Sequence, residues 1–129
     1  MDPCEQDVLL FFDKRPEAYP LFQALKGEIL RLYPQTEIRV QKTQIRFSSR
    51  RVFACVSLHP LGKKHSGGAP YVVLSLGLSA PLDSPRAVVK TEPYPGRWTH
   101  HFVLTSPKDM DEELLCYLEE AHAFSLRKR

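Results

Sequence analysis

Helical periodicity near the N-terminus, a central block of segments that alternate apolar and polar residues, and a capped helical pattern near the C-terminus together predict an α+β domain. Helices and strands cluster instead of alternating. The expected architecture is therefore two layers: a largely antiparallel sheet of four or five strands, with two N-terminal helices and one C-terminal helix. A doubly wound parallel sheet would need helices between its strands, and no helical pattern lies there. The 129 residues suit a single domain spanning 1–129, long enough to bury about two thirds of its unfolded surface. With 43% hydrophobic and 26% charged residues, the chain belongs with globular domains and not with disordered or fibrous ones.

The first helix is expected over residues 3–12, with Asp2 as cap, Pro3 at the first position, and Val8, Leu9 and Phe12 at helical spacing. The second runs from Pro16 or Pro20 to Leu32. Phe22, Leu25, Ile29, Leu32 and Tyr33 share its apolar face, and Pro34 ends it. The sheet starts at Glu37. Apolar residues take even positions at Ile38 and Val40 but odd ones at Ile45 and Phe47, so the alternation slips at Lys42-Thr43. A hairpin and a bulge both explain the slip. Lys-Thr is poor chemistry for a two-residue hairpin, so the expectation is a bulge or bend in one continuous strand, with Arg39, Gln41, Lys42, Gln44 and Arg46 on one side.

Residues 48–51 read as a turn and residues 52–58 as a strand, with Ile45 facing Ala54 and Phe53 on the side of Arg46. Residues 59–70 read as a loop, and residues 71–78 as a strand whose buried face carries Val72, Leu74, Leu76 and Leu78. Four prolines mark residues 79–96 as a long excursion with room for a short strand at 87–90. In the last strand, over 98–105, Trp98, His100, Phe102 and Leu104 share one face. His100 should therefore pack near Trp98 with a hydrogen bond, leaving His101 accessible. The final helix opens on Ser106 as cap, Pro107 at its first position and Asp109 three residues after the cap. Met110, Leu114, Tyr117, Leu118, Ala121 and Phe124 form its stripe.

Charge is distributed unevenly. Between Glu37 and Asp83 there is no Asp or Glu, yet Arg39, Lys42, Arg46, Arg50, Arg51, Lys63 and Lys64 all lie there. The net charge of +3 is too small for a generic polycation, so any electrostatic function must come from placement, and this placement attracts anions. Cys4, Cys55 and Cys116 are widely spaced and odd in number, which predicts free thiols and a cytoplasmic location. The longest apolar run at the N-terminus, residues 8–12, is too short for a signal peptide or a membrane span.

Chemical motifs are sparse. His100 and His101 point to opposite faces with no acid beside them, so no metal site is expected. Cys55 lies mid-strand, where thiols are buried and inert, and no catalytic residue is assigned. Residues 62–68 lack the residue order of a phosphate loop, although a cationic loop there would suit closure over an anion.

Residues 37–45, 51–56, 83–86, 97–101 and 106–111 resemble, in that order, a family of small bacterial domains of unknown function whose members are sometimes labelled "predicted transport protein". The resemblance spans roughly residues 7–125 and implies a small α+β domain. It brings no activity, substrate or catalytic set, and the absence of a membrane segment gives the transport label no support.

The functional expectation is a cytoplasmic binding module. Its sheet face, built from Arg39, Lys42, Gln44, Arg46, Trp98 and His101, receives an anionic ligand: a nucleotide, a phosphorylated or carboxylated metabolite, or an acidic protein segment. Nucleic acid is a narrower version, with Phe53 and Trp98 as stacking platforms. No cofactor and no membrane partner are expected. Two alternatives stand beside it: a small enzyme using His100 or His101 with Arg39 or Arg46, and a homodimer joined through the exposed sheet face.

Overall fold

The computed structural model describes residues 3–127, with Pro3 and Cys4 as backbone only. The cap expected of Asp2 and the thiol of Cys4 lie outside the described residues. Helix α1 (Pro3–Phe11) and, after a 3-10 turn at Pro16–Ala18, helix α2 (Tyr19–Leu32) open the chain. Val8 and Phe12, four residues apart, lie one above the other in the core, whereas Leu9 falls a third of a turn away and is 45% exposed. Leu21, Phe22, Leu25 and Ile29 bury the face of α2.

Six strands follow where four or five are expected: β1 (Glu37–Val40), β2 (Ile45–Ser48), β3 (Val52–Ser57), β4 (Val72–Leu78), β5 (Ala87–Tyr94) and β6 (Arg97–Leu104). They form one antiparallel sheet in the order β1-β2-β3-β4-β6-β5. Between β3 and β4 a one-turn helix, α3 (Leu61–His65), replaces the expected loop, and α4 (Glu112–Arg127) closes the chain. Gly62 of α3 lies against the Tyr71 ring, where an added Cβ would collide with the ring carbons. The Tyr71 hydroxyl donates to the His59 carbonyl at 3.0 Å. This cationic segment is thus anchored to the sheet by packing.

The slip at Lys42-Thr43 is a chain reversal and not a bulge. Val40 stands opposite Ile45, Ile38 opposite Phe47, and the Gln41 N–H donates to the Gln44 carbonyl at 2.8 Å. Antiparallel partners count in opposite directions, so this register pairs even with odd positions and keeps both apolar sets on one face. The reversal also sets Arg39 directly opposite Arg46. No described non-glycine residue has a positive φ, so Lys42 and Thr43 turn the chain without the left-handed backbone that their types disfavour.

A bulge does occur, one strand later. Phe47 pairs with Ala54 and Ser48 with Val52, leaving Phe53 as the extra residue. Ile45 accordingly faces Val56, not Ala54, and Phe53 turns into the helical layer with 2% of its surface exposed. There it meets Tyr33 and His122 edge-on at 5.8 and 4.9 Å, while those two rings stack on each other at 3.8 Å. Phe53 is therefore a core residue and is absent from the arginine-bearing face.

The 79–86 excursion carries the chain past β6 to the sheet edge, and polar contacts hold it. The Leu82 N–H donates to His100 Nε2 at 2.9 Å, and Lys90 Nζ donates to the Leu82 carbonyl at 2.6 Å. Arg86 binds Asp111 and Glu113 at 2.6 and 3.2 Å and the Asp109 carbonyl at 2.6 Å. The expected capping box at Ser106 and Asp109 is formed, but it caps the 3-10 turn Pro107–Asp109. Helix α4 starts after it, with Asp111 accepting from the Leu114 N–H at 3.1 Å.

One core results. Buried residues of α1, α2 and α4 join Ile45, Phe47, Ala54, Val56, Leu74, Leu76, Phe102 and Leu104 from one face of the sheet, leaving the other face to the odd-numbered residues of β4 and β6. The position of Phe53 has a measurable consequence: Phe53→Ala should cost about 3–5 kcal/mol in urea unfolding, as for a buried phenylalanine. A loss below about 1 kcal/mol would return Phe53 to the open face.

Candidate functional site on the open sheet face

The strand registers build one line of residues perpendicular to the strands. Arg39 pairs with Arg46, Arg46 with Cys55, Cys55 with Ser75, Ser75 with His101, and His101 with Val89. With neighbouring strands about 4.8 Å apart, Arg39 and His101 stand roughly 19 Å from one another at the two sides of the row. The row carries no carboxylate, and among the described residues no acid forms an ion pair with Arg39 or Arg46.

Two concavities flank this row. The larger, about 680 Å³, opens at the His101 side. Lys42, Gln44, Ser57, His59, Ser75 and His101 supply its polar groups, and Phe11, Leu58, Leu61 and Val89 its apolar walls. A cavity of this size, mostly apolar with a few convergent polar groups, has the form of a small-molecule site. The smaller, about 260 Å³, lies at the other side between Arg39, Arg46, Arg50 and Arg51, with Glu37 on its rim. Gln44 links the two. With its amide turned so that the oxygen meets the guanidinium, Gln44 accepts from Arg46 Nε and Nη2 at 2.9 and 3.1 Å.

The fold thus brings Lys42, Gln44 and His101 together in one cavity and sets Arg39 and Arg46 in the other. Trp98 does not join them. It pairs with Leu78, a core residue, and shares the helix-facing side of β6 with His100, Phe102 and Leu104. A residue on the face of His100 cannot also serve the face of His101.

The two histidines differ as their alternation requires. His100 is fully buried, and its Nε2 accepts from Leu82, which leaves the proton on Nδ1. That atom has no hydrogen-bond partner. Burial holds the His100 pKa below its ordinary value, opposed by the carbonyls of Trp98 and Leu76, with Lys90 adding to the depression. His101 is half-buried, with Nδ1 2.7 Å from Ser75 Oγ. Its pKa is also lowered, first by desolvation and then by His59 and His100. The Cys55 thiol is pushed up by burial, while Arg46 and Arg97 pull it down. Arg97 shares the parity of His101 and belongs to this face, although it precedes the strand expected over 98–105. Its signal was Gly77, a glycine inside a strand, where a neighbouring group can approach closely.

Replacing each histidine should give separable effects. His100→Ala should lower stability by on the order of 1–3 kcal/mol by removing the acceptor of Leu82 and leaving a cavity. His101→Ala should cost little, and a urea melt in which His101→Ala loses more would invert this assignment. His100, His101 and His122 all have lowered pKa values, so the unfolded chain takes up protons more readily from about pH 6.5 downward. Stability therefore rises with pH through that window and is lost on acidification. His100→Asn should flatten the melting profile between about pH 7.5 and 5; an unchanged slope would remove His100 from the linkage.

A family model described as Domain of unknown function (DUF5655) matches residues 10–125. No curated protein and no solved structure matches the chain. The family description carries neither a transport activity nor a source, and no described helix is long and apolar enough to cross a membrane. Since the match takes in all six strands and everything that lines the row and both concavities, the chain belongs to the DUF5655 family of domains of unknown function.

Proposed function

We propose that this domain is a cytoplasmic binding module for a small organic anion, held on the open face of its sheet. The observation that carries this reading is the acid-free row from Arg39 to His101, which ends in a cavity of about 680 Å³. Guanidinium groups on rigid strands without a carboxylate partner among the described residues suit phosphate or carboxylate, Arg46 being oriented by Gln44, and the apolar walls beyond them suit the rest of a small molecule. Free Cys55 and Cys116 fit a reducing compartment. A metabolite-sized ligand is favoured over nucleic acid because Phe53 and Trp98, the stacking platforms a single strand would use, face the helices. It is favoured over a homodimer through the sheet because the open face is mostly polar along its row, whereas of the exposed large apolar residues Leu9, Leu10, Leu32 and Leu126 lie on helices and only Tyr94 on a strand, at the end of the edge strand β5.

A second reading, a small enzyme, rests on the 2.7 Å contact between Ser75 Oγ and His101 Nδ1 within the cavity. It resembles a nucleophile and base, but no described carboxylate orients the far nitrogen of His101, and Cys55 is held protonated by burial. The binding reading needs no such additional group.

Thermal denaturation in rising phosphate tests it. A site occupied at ten times its Kd stabilises the native state by about 1.4 kcal/mol, on top of the general effect of phosphate on any protein. Arg39→Ala with Arg46→Ala should melt like the wild type without phosphate and lose the specific increment. An equal response in both proteins would overturn the assignment.

A further inference from the structure

Arg97 has no carboxylate partner among the described residues, yet its guanidinium is held in a defined place. It lies flat on Gly77: a Cβ built there would stand 2.6, 2.7 and 2.9 Å from Nη2, Cζ and Nη1. Three nearly equal distances to coplanar atoms mean that the plane of the guanidinium faces the glycine. Any side chain at position 77 would lift it away.

Gly77 has the same parity as Ser75 and so shares the open face. It is two residues along β4, roughly 7 Å, from the Ser75 that pairs with Cys55. Arg46 pairs with Cys55 from the other side. Cys55 is thus the half-buried floor between two guanidinium groups, one from β2 and one laid across β4 from β6. Both act on its thiol electrostatically. One strand spacing beyond it, at Ser75 and His101, the large cavity begins, and Lys42 is the one Lys or Arg on its walls.

We propose that Arg46 and Arg97, the latter seated on Gly77, form an anion subsite above Cys55 for the phosphate or carboxylate end of an elongated ligand whose apolar body fills the cavity beyond Ser75 and His101. This rests on the anion-binding reading above and names its ligand class. Inorganic phosphate would occupy the subsite alone and gain nothing from the apolar walls. An alkyl or aryl phosphate would gain from both, since each methylene that enters the cavity adds hydrophobic burial.

Cys55 is the built-in reporter. In a Cys4→Ser, Cys116→Ser background, its modification by a soluble disulfide reagent is followed with inorganic phosphate, octyl phosphate, octanoate or neutral octanol, each rate normalised to the same protein without additive. Octyl phosphate should protect at a concentration at least tenfold below that needed of inorganic phosphate, and octanol should not protect. The ratio of octyl phosphate to octanoate tells whether the subsite prefers a phosphate or a carboxylate. Arg97→Ala should raise the half-protecting concentration of octyl phosphate at least tenfold. Gly77→Ala, which keeps the charge and displaces it, should do the same, and Arg97→Ala decides if Gly77→Ala fails to fold. Protection that survives Arg97→Ala but is lost in Arg39→Ala with Arg46→Ala overturns this inference and leaves the anion-binding reading standing. Equal protection by octyl and inorganic phosphate also overturns it. No protection by any anion, with a flat phosphate response in melting, overturns both.

Discussion

The long helices α2 and α4 pack on one face of this sheet, while only the one-turn α3 and the end of α1 border the other, and most other features follow from that asymmetry. Ile45, Phe47, Val56, Leu74, Leu76, Phe102 and Leu104 must all face α1, α2 and α4, so every strand is fixed in rotation and in register. Their sequence neighbours then have no choice of side. Arg46, Cys55, Ser75 and His101 line up across the sheet because the residues on either side of them are buried, not because of attraction among themselves. Two arginines placed opposite each other on adjacent strands repel. The fold accepts that cost because core burial outweighs it, and the resulting unneutralised charge is available to a ligand.

The same constraint explains the long excursion between β4 and β5. The chain leaves β4 at the inner side, passes beyond the position of β6 and returns along the edge, so residues 79–86 cross one end of the sheet without strand partners. His100 supplies from the core an acceptor for Leu82, and Lys90 a donor to its carbonyl. Arg86 fastens the far end to Asp109 and Asp111 ahead of α4 and to Glu113 in its first turn. The ion pairs of Arg86 are partly exposed and contribute modestly, but its bond to a backbone carbonyl fixes direction. Residues 83–86 and 106–111, two of the segments that carry the family resemblance, therefore meet in space for a structural reason. His100 belongs to this fastening.

Electrostatics on the open face work against the usual pattern of paired surface charge. Burial depresses the His101 pKa and raises that of Cys55, so both are neutral near pH 7 and the positive potential comes from Arg39, Arg46 and Arg97, joined by Lys42 at the large cavity and by Arg50 and Arg51 at the small one. Neutral polar groups beside fixed cations keep the charge of this face constant over a broad pH range, and the mostly apolar cavity lies next to it.

Local sequence determined much of this protein. Helix-spaced residues such as Phe22, Leu25 and Ile29, strand alternation at Leu74, Leu76, Phe102 and Leu104, and the box at Ser106 and Asp109 each express a periodicity or cap that needs only neighbouring residues to be recognised. The opposite facing of His100 and His101 follows from the same rule. Which strands became neighbours was not legible, because pairing depends on residues far apart in the chain. The parity slip at Lys42-Thr43 suits a bulge in the sequence alone, but β2 turns back on β1, and the true bulge at Phe53 exists only in the pairing of β2 with β3. Tertiary structure alone turned Phe53 toward Tyr33 and His122, kept Trp98 from the arginine face, and laid Arg97 on Gly77. Each of these outcomes is set by what lies across the sheet, about 5 Å away in space and many residues away in sequence.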